Sequence, residues 1–168
     1  MRIVLDASPL IFMAKLDAFD ALSNAGNTAA VPLSVYTEAA RPELAFRHPE
    51  IATVQRLREE GELEVIALEP SEATMASDLT DRYGGLHAGE LDVLALGHAR
   101  GWPVCLHERQ ASRLATSLGL GTIHVVELLF AGTSDLDLLE RRVRHFARLT
   151  NLTMNDLDSL LSLIRERR

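Results

Sequence analysis

Cysteine is all but absent from this chain. Cys105 is the only one, so no intrachain disulfide can form and no cysteine-rich zinc site can be built. Its setting, Val104-Cys105-Leu106, is that of a small buried hydrophobe. Aromatic residues make up only 5%, which argues against a platform that binds RNA or DNA by base stacking. Lysine is nearly missing as well. Of 17 basic residues only Lys15 is not arginine, the usage of a GC-rich genome. No apolar run approaches about 18 residues, and the opening Met1-Arg2-Ile3-Val4-Leu5-Asp6 lacks a basic stretch followed by a long apolar one. A cytoplasmic protein with no membrane partner is therefore expected. Positive charge is not in excess either: the net charge is −7. That excludes a surface acting as a passive cation toward nucleic acid or membrane. It does not exclude a nuclease, whose metal-binding carboxylates add to the negative total.

What is present suits an ordinary folded chain. The 168 residues are 47% hydrophobic and 24% charged, enough for a core and too apolar for wholesale disorder. One domain over 1–168 is expected, with a motif-bearing core to about 130 and a helical tail over 131–168. Ile3-Val4-Leu5, Ala29–Val31, Leu63–Leu68, Pro103–Leu106 and Thr122–Val125 read as short strands. Helices are expected over Leu10–Leu22, capped by Ser8 with Pro9 at the first helical position, and over Val35–Ala40, Pro49–Glu60 and Glu72–Tyr83. Further helices are expected over Ala88–Arg100 and Glu108–Leu118, and from Glu127 onward. The alternation predicts an α/β fold: a three-layer α/β/α sandwich around a mostly parallel sheet.

Ligands of an open parallel sheet bind beyond the carboxyl ends of its strands. Acids stand at those places. Asp6 directly follows the first strand, and Glu38 lies on the helix after the second. Glu90 and Asp92 open the helix that feeds the Pro103 strand, and His107-Glu108 follow that strand. Singly, most have a plain structural account. Glu90 and Asp92 complement a helix dipole, Glu38 suits a solvated helix face, and Glu108 opens a helix. Asp6 is left over, because Ser8-Pro9 already supplies a cap. Together, converging carboxylates repel one another, and a hard divalent cation relieves the repulsion. All-oxygen ligation suits Mg²⁺ or Mn²⁺. Competing motifs fail: there is no phosphate-binding P-loop, no Gly-x-Gly-x-x-Gly and no Gly-x-Ser-x-Gly. His107-Glu108 begins a His-Glu-x-x-His pattern, but Ala111 stands where the second histidine belongs. Among the other histidines, His87 is set apart by preceding the Glu90/Asp92 turn.

Four segments, in order, resemble the PIN-domain ribonucleases, above all their VapC-like branch. Ile3-Val4-Leu5-Asp6-Ala7-Ser8-Pro9-Leu10-Ile11 looks like the branch's opening, and Val31-Pro32-Leu33-Ser34-Val35-Tyr36-Thr37-Glu38-Ala39 resembles its second signature. Gly89-Glu90-Leu91-Asp92-Val93-Leu94-Ala95-Leu96 is similar to the third. The segment from Val104 to Ala115 resembles the last, with His107-Glu108 where the family pattern carries Asp-Asp. The resemblance implies a metal-dependent endoribonuclease, the toxin of a toxin–antitoxin pair. Asp6, Glu38 and Asp92 would hold Mg²⁺ or Mn²⁺ and Glu108 would complete the cluster. Glu90 and Ser8 would stand behind these ligands, Glu90 because positions two apart on a helix do not face the same way. The ion would activate water and stabilise charge on the scissile phosphate. RNA, a cognate antitoxin and a second copy of the chain are the implied partners. Candidate dimer faces are the helices around Phe12-Met13 and Val54-Leu57. Arg141, Arg142, Arg144 and Arg148 offer a basic pole for RNA or an acidic antitoxin segment. Two other readings stand beside this one: a weakened PIN module that binds without cutting, and a Mg²⁺-dependent phosphohydrolase.

Overall fold

A computed structural model describes all of residues 1–168. Strand β1 (Arg2–Leu5) is central, and Ile3, Val4 and Leu5 are fully buried, as a strand covered on both faces requires. Helix α1 (Ala7–Lys15) starts directly after it, with Asp6 rather than Ser8 in the capping position and no capping bond from its side chain. Pro9 falls in the first turn, where a missing N–H loses nothing. The single helix expected to Leu22 is broken at Asp17, whose φ is +46°, and α2 (Phe19–Asn24) follows. Next come β2 (Thr28–Pro32), α3 (Leu33–Ala39), a 3₁₀ turn at Pro42–Leu44, α4 (Glu50–Glu59) and β3 (Leu63–Ile66).

The chain then returns through α5 (Pro70–Arg82) and α6 (Ala88–Arg100) to β4 (Val104–Cys105), on the other side of β1. After α7 (Arg109–Ser117) comes β5 (Thr122–Ile123), at the edge. The order is β3-β2-β1-β4-β5, and every pairing is parallel, so the sheet is wholly rather than mostly parallel. Crossovers of this kind are right-handed. Reversing their direction therefore places α5 and α6 on the face opposite α1 and α4. Helix α6 packs across β1, β2 and β4. Gly97 makes its approach possible: a Cβ there would stand 2.5 Å from Val104 Cγ1. The reversal falls between β1 and β4, and that is where such a sheet opens a crevice.

Helices α8 (Val125–Gly132), α9 (Leu136–Thr150) and α10 (Met154–Arg165) complete the chain. They share the core: Leu139, Val143, Phe146, Leu161 and Ile164 join one apolar cluster with Ile3 and Leu5. Two expectations are corrected by this packing. Met13, Val54 and Leu57 are buried in the chain's own core, so they cannot form a dimer face. The basic pole on α9 is also smaller than expected. Arg142 is buried and donates to the Asp20 carboxylate, the Thr133 hydroxyl and the Asp17 carbonyl, and Arg144 pairs with Glu140. No helix is long and apolar enough to cross a membrane.

Candidate active site

Beyond the carboxyl ends of β1 and β4 lies a pocket of about 390 Å³. Asp6, Glu38, Glu90 and Glu108 line it with His87 and His107, and Ala7 is its only hydrophobic residue. Ser8 lies on the same wall. Each side chain is delivered by a local feature of the chain. The Asp6 backbone N–H donates to the Cys105 carbonyl at 3.1 Å, so the register of β1 and β4 holds this residue at the crevice. Glu38 comes from α3, which packs on α6. Gly89 keeps the space between them open, since a Cβ there would lie 3.6 Å from Glu38 Oε2 and 3.3 Å from Val35. Glu90 is buried, and its Oε2 accepts the His87 backbone N–H at 2.8 Å, which closes the first turn of α6. Glu108 precedes α7 and makes no capping bond.

The acids feel one another. Asp6 is pushed from its ordinary 3.8 up to about 6, first by burial and then by the nearby Glu90 and Glu38 carboxylates. The Ala7 N–H and His87 pull in the opposite direction. A buried carboxylate beside two others is a group that a cation would stabilise. The donors are hard oxygens, which fits Mg²⁺ or Mn²⁺ in kind. As the side chains stand, no three acid, histidine or cysteine groups come close enough together to grip an ion.

The two acids at the start of α6 do not lie as expected. Asp92 is absent from the pocket wall. It lines a neighbouring groove of about 610 Å³ between α3, α5 and α6, and its carboxylate accepts the Ser34 hydroxyl. Two residues span about 200° of helix, so only one of the pair can face Asp6. Glu90 is that one, with its side chain directed back by the His87 turn. The similarity to the third signature had pointed to the other member. His107, which the sequence marked as standing in an aspartate's place and as opening an incomplete His-Glu-x-x-His pattern, also proves to be a wall residue. Its ring stands edge-on to Phe12 at 5.1 Å.

A family profile described as a PIN domain matches residues 2–154. Among solved structures, the chain is similar to one in the crystal structure of VapBC2 from Rickettsia felis bound to a DNA fragment from their promoter. The TM-score is 0.55 at 14% identity, over 74% of this chain and 98% of that one. At that identity the likeness speaks for the fold. No protein of curated function matches the chain.

Proposed function

The chain belongs to the PIN-domain family, and from that premise we propose that it is a divalent-metal-dependent endoribonuclease, the toxin partner of an antitoxin protein. The observation carrying this reading is the set of four carboxylates on one polar pocket at the sheet's switch point, with Asp6 raised to about 6 by burial and like charge. Asp6, Glu38 and Glu90 are the proposed ligands of Mg²⁺ or Mn²⁺, with Glu108 completing the set. Asp92 is left to support α3 through Ser34. When bound, the ion supplies Lewis acidity toward a phosphodiester and its attacking water.

The chain's own residues do the rest. Asp6 gives up its proton as the site charges. The His87 N–H holds Glu90 Oε2 in place, and the second oxygen of Glu90 has no hydrogen bond of its own to give up. Glu108 is one methylene longer than the aspartate of the family pattern and reaches the pocket from an exposed position. A misplacement near 1 Å can cost on the order of 100-fold in rate. Mg²⁺ demands stricter octahedral geometry than Mn²⁺ tolerates in such a site, so cleavage favours Mn²⁺.

The test is incubation of structured RNA with the purified protein in Mn²⁺, in Mg²⁺ and in EDTA, with a generic phosphomonoester alongside. RNA cleavage with either ion, none in EDTA and none by a folded Asp6→Asn variant is the expected result. Asp6→Asn removes one ligand charge and almost no volume, so a loss of at least about 100-fold is expected. Wild-type cleavage by Asp6→Asn would overturn the assignment. Hydrolysis of the monoester alone would make the protein a phosphohydrolase, and RNA binding without cleavage a non-cutting module.

A further inference from the structure

A second pocket, of about 450 Å³, adjoins the acid pocket and is lined by Leu106, His107, Arg109, Ser112, Arg113 and His124. It shares His107 with the acid pocket. Leu106 is its only hydrophobic residue, and it contains no carboxylate. The arginines are one helical turn apart on α7 and face the same way. Neither enters any of the chain's ion pairs, although the chain carries 24 acids that could pair with them. Six other arginines do form such pairs. Helix α7 itself is free of acids.

The histidines are held in place. His107 stands edge-on to Phe12 at 5.1 Å, His124 stands edge-on to Phe146 at 5.7 Å, and the two phenylalanines meet at 5.6 Å. The imidazoles are thus seated on one aromatic floor, 6.3 Å apart. His124 Nδ1 accepts the Val126 backbone N–H at 3.3 Å. A neutral His124 therefore carries its proton on Nε2, as a donor.

We propose that this pocket binds a backbone phosphate of the RNA strand, one flanking the phosphodiester in the acid pocket. The proposal rests on the nuclease reading of the acid pocket and gives it a substrate-positioning subsite. Its physical basis is charge. Four carboxylates repel a polyanion, so a strand entering that pocket needs a cationic hold beside it. Two unpaired guanidiniums and two ring N–H groups are what a phosphate takes; the Ser112 hydroxyl already donates to the Glu108 carbonyl at 2.9 Å. An acidic peptide would bring carboxylates, but it would find almost no apolar seat for its other side chains here.

The probe is a fluorescein-labelled single-stranded RNA decamer, titrated by anisotropy in EDTA over a series of salt concentrations. The variants are Arg109→Gln/Arg113→Gln and, with the same change of charge elsewhere, Arg58→Gln/Arg165→Gln on α4 and α10. All four arginines are exposed, so both proteins fold. The α7 pair should weaken binding roughly tenfold. It should also flatten the plot of log K against log salt by about 1.4, two contacts at about 0.7 each. The control pair should change neither. In protein with ¹⁵N-labelled histidine, the His107 and His124 ring signals should move with this RNA and with inorganic phosphate, and stay still with a poly-glutamate peptide. Equal effects of the two pairs, or an unchanged slope in the α7 pair, would overturn the proposal. Ring shifts with the peptide but not with RNA would overturn it too, and would assign the pocket to a protein partner. Every reading is taken without metal and without cleavage. Failure of the nuclease reading therefore appears in the cleavage assay and failure of the subsite in the binding assay.

Discussion

Asp6 is where the site's charge can be weighed against its fold. A carboxylate whose folded value is raised resists ionisation, so its burial opposes folding wherever the group must be charged. Below the unfolded value of 3.8 it is protonated in both states and contributes nothing. The penalty grows as pH rises through that value and is complete above about 6. At pH 8 without metal it amounts to on the order of 2–3 kcal/mol. Asp6→Asn should therefore be more stable than the wild type in EDTA at pH 8, and the advantage should shrink steadily from about pH 6 to pH 4. Urea denaturation across that range measures it; a difference independent of pH would show that Asp6 carries no such penalty. The neighbouring acids of α6 separate at the same scale. Glu90→Gln keeps an oxygen for the His87 N–H and so preserves the helix start, yet should lower RNA cleavage by at least about 100-fold. Asp92→Asn should stay within about tenfold of wild type, because a hydroxyl contact to Ser34 is all it changes. The reverse ranking would return Asp92 to the ligand set.

Close approaches between elements set the frame that carries these residues. Gly132 ends α8 against α2, and a Cβ there would stand 1.7 Å from the Ala21 carbonyl oxygen. Backbone cannot step aside as a flexible side chain can. Gly132→Ala should therefore force the two helices apart and cost about 3 kcal/mol or more, read as a lowered urea midpoint. A midpoint within experimental error of wild type would mean that α8 shifts freely. Arg142 works at the same level, tying α9 to the turn between α1 and α2 through Asp20, Thr133 and the Asp17 carbonyl. It explains why the α1–α2 break at Asp17 was invisible in the sequence. The helical periodicity runs on from Leu10 to Leu22, and only a distant guanidinium gives the exposed carbonyl of a broken turn a partner.

Across the whole molecule, metal and folding are linked. An ion that binds only the folded chain stabilises it by about 2.7 kcal/mol at a hundred times its Kd. Mn²⁺ or Mg²⁺ should therefore raise the melting temperature of the wild type at pH 8 and leave Asp6→Asn nearly unmoved. At pH 5 the ion must displace the Asp6 proton, so its apparent affinity should fall about tenfold or more. Differential scanning fluorimetry with each ion at both pH values reads this directly. Equal shifts in wild type and Asp6→Asn would place the ion elsewhere.

Much of this architecture was legible in residue order, because it is written in local patterns. Short apolar runs such as Ile3-Val4-Leu5, three residues long and followed at once by a polar residue, have the look of strands buried on both faces. The glycines and prolines between them mark where the chain turns, and strands alternating with helices demand parallel pairing. The acids after those strands were visible for the same reason: position along a strand fixes which end of the sheet a residue occupies. Rotation about a helix was not settled that way. Whether Glu90 or Asp92 faces Asp6 depends on how α6 is turned on β1, β2 and β4, and that is set by contacts such as Gly97 against Val104. Pairing among charges was equally hidden. Arg142 and Arg109 are the same residue type in similar helical surroundings, yet one is buried on Asp20 and the other has no ion-pair partner. Met13 and Leu57, apolar on helices, had suggested a surface for a second copy and instead fill the core. Burial and ion pairing belong to residues far apart in the chain, and only the folded packing decides which of them meet.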